Sequence, residues 1–173
     1  MADVKISALT SAGTITGTEI VPVVSGGVTK RTTTQNIAEL AVKTVKVSFN
    51  TAAVLALGTP ATVIAAPGAG KVIDVLNVYM RYNYNTTDFA ANTAPALYLG
   101  DDTNGNQLTA DLTGFLESSL TTFGQPALTR KGTNLTTVQS VWENQAVKIT
   151  TGGNPTTGDG SLDVWVTYQI VNL

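Results

Sequence analysis

The sequence predicts a mainly β chain: a β-sandwich or jelly-roll-like domain over residues 45–173, preceded by an extended segment and a short helix over residues 1–44. Three observations predict it. Residues 161–173 (SLDVWVTYQIVNL) alternate strictly, Leu162, Val164, Val166, Tyr168 and Ile170 against Asp163, Trp165, Thr167 and Gln169. That is the period of a strand with one apolar face. From Val45 onward the same period returns in short runs separated by Gly-, Pro- and Asn-rich turns, the pattern of a sandwich or jelly roll. Finally, 173 residues at 43% hydrophobic and 13% charged are enough for one buried core and a small appendage.

The elements follow in order. Residues 1–32 read as extended with turns. Ile20, Val21, Val23 and Val24 surround Pro22, which cannot donate to a ladder, so this is an edge or isolated strand. The turn at Ser25-Gly26-Gly27 and the run Val28–Thr32 suggest a short hairpin. The segment has too few large apolar groups to bury a core and needs another surface; a frayed arm is the competing reading. Residues 33–42 (TTQNIAELAV) form the best helix start, with Thr33 or Thr34 as cap and Ile37, Leu40 and Ala41 on one stripe. So short a helix is marginal unless packed. Its stripe is expected either in an oligomer interface around a symmetry axis or folded back on the domain.

Val45, Val47 and Phe49 then mark the first strand of the domain, and residues 59–66 (TPATVIAA) the second. The glycine-rich residues 67–70 read as a hairpin turn. Residues 71–84 are the longest central strand, with Leu76, Val78, Met80, Tyr82 and Tyr84 on one face and Asn77, Tyr79, Arg81 and Asn83 on the other. A polar loop over 85–93, a strand over 94–100 and a turn over 101–106 follow. Leu112, Phe115, Leu116 and Leu120 fit a 3.6 period and predict a short helix near 111–119. Residues 125–136 read as loop, and 138–142 and 146–150 as short strands around a turn at 143–145. The turn-rich stretch 152–160 (GGNPTTGDG) delivers the chain into the last strand, which is expected to close the sheet.

Several chemistries are argued against by composition. The chain has no His and no Cys, which removes imidazole-based triads, thiolate nucleophiles and zinc–thiolate sites. Net charge is −2, where nucleic-acid binding wants a basic patch. Residues 1–44 set Asp3, Glu19 and Glu39 against Lys5, Lys30, Arg31 and Lys43, one net positive charge. No apolar run approaches the roughly 18 residues of a membrane span, and the N-terminus lacks the pattern of a signal peptide. Gly68-Ala69-Gly70-Lys71 fails as a phosphate loop, because Ala65 stands where Gly is needed and Val72 where Ser or Thr is needed. Residues 101–106 (DDTNGN) fail as a calcium loop, with Gln107 and Thr113 at the required Gly and Glu positions. The carboxylates Asp88, Asp101, Asp102, Asp111, Glu117, Glu143, Asp159 and Asp163 read as solvated surface charge rather than a glycan-hydrolysing pair. No catalytic residue, metal ligand or cofactor is predicted. Tyr79 and Trp165 lie on the second face of the sheet. They read equally as an oligomer interface, since exposed aromatics in mixed surroundings mark contacts, or as rings half-buried under loops.

Residues 6–40 read ISALTSAGTITGTEIVPVVSGGVTKRTTTQNIAEL. The Ile6-Ser7-Ala8-Leu9 opening, the Gly17-Thr18-Glu19-Ile20-Val21-Pro22 centre, Gly26-Gly27-Val28-Thr29-Lys30 and the Thr32–Thr34 entry into a helix resemble a leader of tailed-bacteriophage virion proteins. Head-fibre, decoration and tail-fibre proteins carry it. Residues 65–75 (AAPGAGKVIDV), 143–151 (ENQAVKITT) and 158–171 (GDGSLDVWVTYQIV) resemble a β domain of phage structural proteins. The resemblance implies a homotrimer on the virion surface, made in the host cytoplasm. Its N-terminal segments attach to the major capsid protein or another virion protein, and its β domains project outward. It places the capsid-anchoring positions at Ile6, Leu9, Glu19, Val21, Pro22, Val23, Gly27, Val28, Thr29, Lys30, Thr32 and Thr33. The leading expectation is a capsid decoration (cement) or head-fibre protein, with neither nucleic acid nor membrane as partner and no enzymatic role. The alternative is a tail-fibre, receptor-binding or tail-adaptor protein that contacts host glycans.

Overall fold

Glycines at Gly26 and Gly27 let the chain reverse in two residues, and the hairpin expected around them is present in the computed structural model. That structure describes residues 14, 16, 18–39, 41–100, 107–110, 112–117, 123–126 and 142–173. Strand β1 (Ile20–Ser25) pairs antiparallel with β2 (Val28–Thr33). Both turn glycines have positive φ, +62° and +76°, the type I′ geometry that matches strand twist and favours glycine. Helix α1 (Thr34–Glu39) follows at once. The Thr33 hydroxyl accepts from the Asn36 amide at 3.2 Å, so Thr33 caps the helix as expected. The helix is shorter than the predicted 33–42. Contacts divide the chain into two compact units, Met1–Ala41 and Val42–Leu173.

The second unit is built from β3 (Lys43–Phe49), α2 (Thr51–Leu55), β4 (Ala61–Ile64), β5 (Lys71–Asn83), β6 (Ala96–Leu99), β7 (Phe123–Pro126), β8 (Val147–Thr150) and β9 (Ser161–Asn172). It forms two antiparallel sheets, one ordered β3-β9-β5-β7 and the other β4-β8-β6. A short segment runs along the outer side of β6, where the Leu108 amide donates to the Leu97 carbonyl at 2.8 Å. The Leu97 amide in turn donates to the Thr109 hydroxyl at 3.0 Å. One core lies between the sheets. Val78, Met80, Tyr82, Leu162, Val164 and Val166 come from the larger sheet, and Val63, Leu97, Leu99, Val147 and Ile149 from the smaller. Each such side chain contributes about 1.5–3 kcal/mol by leaving water. The chain is mainly β and sandwich-like, as its alternation predicts.

Several expectations are corrected. The glycine-rich turn at 67–70 is not a hairpin: β4 belongs to the smaller sheet and β5 to the larger, so the turn carries the chain from one layer to the other. Leu76 does not point inward; it is exposed. A β-bulge between Val75 and Asn77 inserts one extra residue, which reverses the inside–outside parity along β5. Ile73 and Val75 are therefore buried before it and Val78, Met80 and Tyr82 after it. Helix α2 was not foreseen. Asn50 caps it by accepting from the Ala53 amide at 3.0 Å, and Val54 fills the core. The predicted strand 59–66 shrinks to β4. Of the helix predicted near 111–119, the described residues 112–117 hold a 3-10 turn, Phe115–Glu117, with Leu112, Phe115 and Leu116 buried. The 3.6 spacing came from a loop that inserts apolar groups in sequence. Gln125, expected in a loop, lies in β7. Trp142 lies in a turn rather than a strand. Strand β9 pairs with earlier strands as its period predicts, hydrogen-bonded on both sides, to β3 and β5. The turn 101–106 and residues 138–141 lie outside the described residues.

Candidate functional site

Antiparallel register decides which residues are cross-strand neighbours in the four-stranded sheet. Lys46, Trp165, Tyr79 and Pro126 are cross-strand neighbours in one row. Ser48, Asp163, Arg81 and Gly124 form the next. The first row brings Tyr79 and Trp165 together, with ring centroids 5.5 Å apart and planes tilted by 57°. Lys46 Nζ lies 4.9 Å and Arg81 Cζ 5.3 Å from the Trp165 ring centroid. Cations at such distances gain about 0.5–1 kcal/mol each from the ring quadrupole at exposed sites.

Asp163 sits at the centre of the second row and is only 5% exposed. It was expected to be solvated surface charge, and it is not. Its carboxylate accepts from Ser48 Oγ at 2.6 Å, Arg81 Nη2 at 2.6 Å and Asn83 Nδ2 at 3.3 Å. Lys46 Nζ completes the set at 3.1 Å. Burial pushes the carboxyl up, but the donors together, Ser48 foremost, hold it well below the usual carboxylate range. A carboxylate locked in its ionised form is a poor general acid. It organises the surface instead, fixing the two cations that flank Trp165.

Asp159, Glu143 and Glu117 are likewise committed, whereas Asp88, also expected to be solvated, is half-buried and its Oδ1 has no hydrogen-bond partner among the described residues. Asp159 accepts from the Thr86 and Thr87 amides, each at 2.9 Å, from the Thr86 hydroxyl, and from Asn85. These bonds, the Thr86 hydroxyl first, lower its pKa to about 2. Glu143 accepts from the Gly70 amide at 2.6 Å, and Glu117 from the Thr93 hydroxyl. Asp101, Asp102 and Asp111 lie outside the described residues. Among the described residues no group of three or more carboxylates is placed to hold a metal ion. No helix among them is long and apolar enough to cross a membrane. Tyr82, buried in the core against Phe89 and Tyr84, is pushed up to about 12, by burial first and by Asp88 and Asp159 next.

The N-terminal unit presents the second surface. Among its described residues Ile20, Val24, Val28 and Ile37 are all exposed. Val21 and Val23 are half-buried on β1, and Thr32 and Thr33 on β2, whereas Pro22, Gly27, Thr29 and Lys30 are exposed. Glu19 has a structural task inside the unit. Its carboxylate accepts from the Thr16 amide and hydroxyl, both at 2.7 Å, and from the Thr34 hydroxyl at 2.6 Å. These bonds, that from Thr34 first, hold it well below the usual carboxylate range. They tie the base of β1 to the start of α1. Ile6, Leu9 and Leu40 lie outside the described residues. Tyr79 and Trp165 were thus found by period alone, while the Ser48–Asp163–Arg81 row needed the strand register, which no local signal carries.

No protein-family model matches the chain, and no curated protein does. Among solved structures, a chain of the cyanophage Pam1 capsid asymmetric unit is similar at 22% identity and a TM-score of 0.36, over 97% of this chain and 98% of that one. A chain of the capsid of Ralstonia phage GP4 is similar at 15% identity and a TM-score of 0.35, over 75% of this chain and 84% of that one. TM-scores this low assign no role.

Proposed function

We propose that this chain is a tailed-bacteriophage virion structural protein of the decoration (cement) or head-fibre kind. Residues 1–44 attach to the capsid and the β-sandwich is displayed outward as a trimer. The observation that carries the reading is the exposure of Ile20, Val24, Val28 and Ile37 in a unit whose described residues form a two-stranded sheet and a six-residue helix. Such an assembly is marginal in water by itself, so it gains its stability from the surface it docks on. The leader-like sequence supports that surface being a virion protein. Several weakly docked segments on one trimer act together through effective concentration. Tyr79 and Trp165, on the outward face of the larger sheet, serve as the contact between sister domains, and Ile37 and Leu40 as the contact between helices. The strand order supports a jelly roll: β3-β9-β5-β7 faces β4-β8-β6, with residues 107–109 beside β6 completing the second sheet. No enzymatic step is assigned, since the chain has no His or Cys and Asp159 and Asp163 are held ionised.

The test uses particles of the encoding phage assembled without this protein. Full-length protein is expected to bind them and a version lacking residues 1–44 is not. Decoration by the truncated protein refutes the attachment segment. Native mass measurement of the full-length protein is expected to give three copies, and a monomer refutes the trimer.

A further inference from the structure

We propose that the outer edge of β2 takes up an extended, carboxylate-bearing strand from a partner protein. This rests on the reading of residues 1–44 as the attachment segment and states how that segment is held.

In an antiparallel pair, opposite residues alternate between exchanging both backbone hydrogen bonds and exchanging none. The Thr34 amide donates to the Glu19 carbonyl at 2.9 Å. With the observed register, Val21/Thr32, Val23/Lys30 and Ser25/Val28 are then the bonded pairs. Ile20/Thr33, Pro22/Arg31 and Val24/Thr29 are the others, and their N–H and C=O groups point away from the hairpin. The two outer edges differ. On β1 the middle outward position is Pro22, which has no N–H, so the edge is interrupted. On β2 the outward amides of Thr29, Arg31 and Thr33 form an uninterrupted row. Among the described residues no third strand pairs with this sheet.

Charge selects the occupant. Lys30 and Arg31 are exposed, and their cross-strand neighbours are Val23 and Pro22. The ion pairs among the described residues involve neither. A second copy of β2 would set these cations against their own kind, which disfavours pairing. A second copy of β1 would offer the edge that Pro22 interrupts. An extended segment of another chain that carries Asp or Glu meets both requirements: it completes the backbone ladder and neutralises Lys30 and Arg31.

The experiment measures binding of the full-length protein to particles assembled without it. Arg31→Pro removes one outward N–H and leaves the internal ladder intact. Persistence of the hairpin is read from slow amide exchange at Val23 and Lys30. Binding is expected to weaken about tenfold or more. Thr29→Pro, at a position of the same orientation, is the second variant. Arg31→Gln keeps the N–H and is expected to weaken binding several-fold and to flatten its salt dependence. In the unaltered protein the Thr29, Arg31 and Thr33 amides are expected to become protected on binding. Unchanged amide exchange on bound particles overturns the proposal, as does full binding by a proline variant with an intact hairpin. A proline variant that instead dissociates the protein into smaller oligomers makes the edge a self-contact and also overturns it. Loss of binding by the version lacking residues 1–44 would stand in all these cases, so failure of strand addition is distinct from failure of the attachment segment.

Discussion

The two units of this chain use apolar residues in opposite ways. In Val42–Leu173 most of the large ones are turned inward: Leu162, Val164, Val166, Val78 and Met80 have no exposed surface. In Met1–Ala41 several of the described ones are turned outward, with Ile20 63% and Val24 75% exposed. The sandwich satisfies its own hydrophobic surface; the hairpin leaves its surface for something else. Under the proposed function this contrast is that of a displayed part and a docked part.

Substitutions can break or sharpen the contrast. The largest effect is expected from Leu162→Ala, which opens a cavity at the centre of the larger sheet and costs about 2–5 kcal/mol. Ile20→Ala, by contrast, is expected within about 0.5 kcal/mol for the isolated protein. Denaturant unfolding followed by tryptophan fluorescence compares them, and equal costs would erase the distinction. Next comes Gly160→Ala. A Cβ there would lie 2.5 Å from Tyr82 Cε2 and 2.7 Å from the Asn83 carbonyl oxygen. Overpacking of this kind costs about 1–3 kcal/mol and is read as a fall in Tm.

Asp163→Asn keeps the shape of the outer row but removes its charge, and is expected to cost about 1–3 kcal/mol. A variant as stable as the parent would show the network to be ornamental. The pH dependence has a definite sign. The folded pKa of Asp159 is about 2, below its ordinary 3.8. Its stabilisation is therefore fully present above 3.8 and is lost as pH falls toward 2. Carboxyl titration by NMR checks this, and Thr86→Ala is expected to move the midpoint up toward 3.8. The smallest effect on folding is expected from Tyr79→Ser, below about 1 kcal/mol. Under the proposed trimeric assembly its expected consequence is a shift from trimer toward monomer in native mass measurement.

Period and punctuation made much of the fold legible. The strict alternation of β9 and the Gly26-Gly27 reversal of the hairpin are local facts, so each was placed correctly. The pairing of sheets was not local. A turn such as 67–70 looks the same whether it joins neighbours in one sheet or carries the chain between two. The 3-10 turn at Phe115–Glu117 imitated a helix, because a loop that buries Leu112, Phe115 and Leu116 reproduces helical spacing without helical hydrogen bonds. Of the outer face, Tyr79 and Trp165 were visible in sequence as aromatics on the polar side of their strands. Asp163 was not. Its burial depends on Lys46, Ser48, Arg81 and Asn83 arriving from two other strands, and those neighbours follow from register alone.

The extra residue at Leu76 gives the sheet a phase error that the rest of the chain relies on. Ahead of it the odd-numbered positions Ile73 and Val75 look inward; beyond it the even-numbered Val78, Met80 and Tyr82 do. Straightening the kink with Leu76 retained and the upstream pairing kept would turn the downstream half of the strand inside out, sending Tyr79 and Arg81 toward the interior. Reading frame, in this strand, is a property of the folded backbone as much as of the gene.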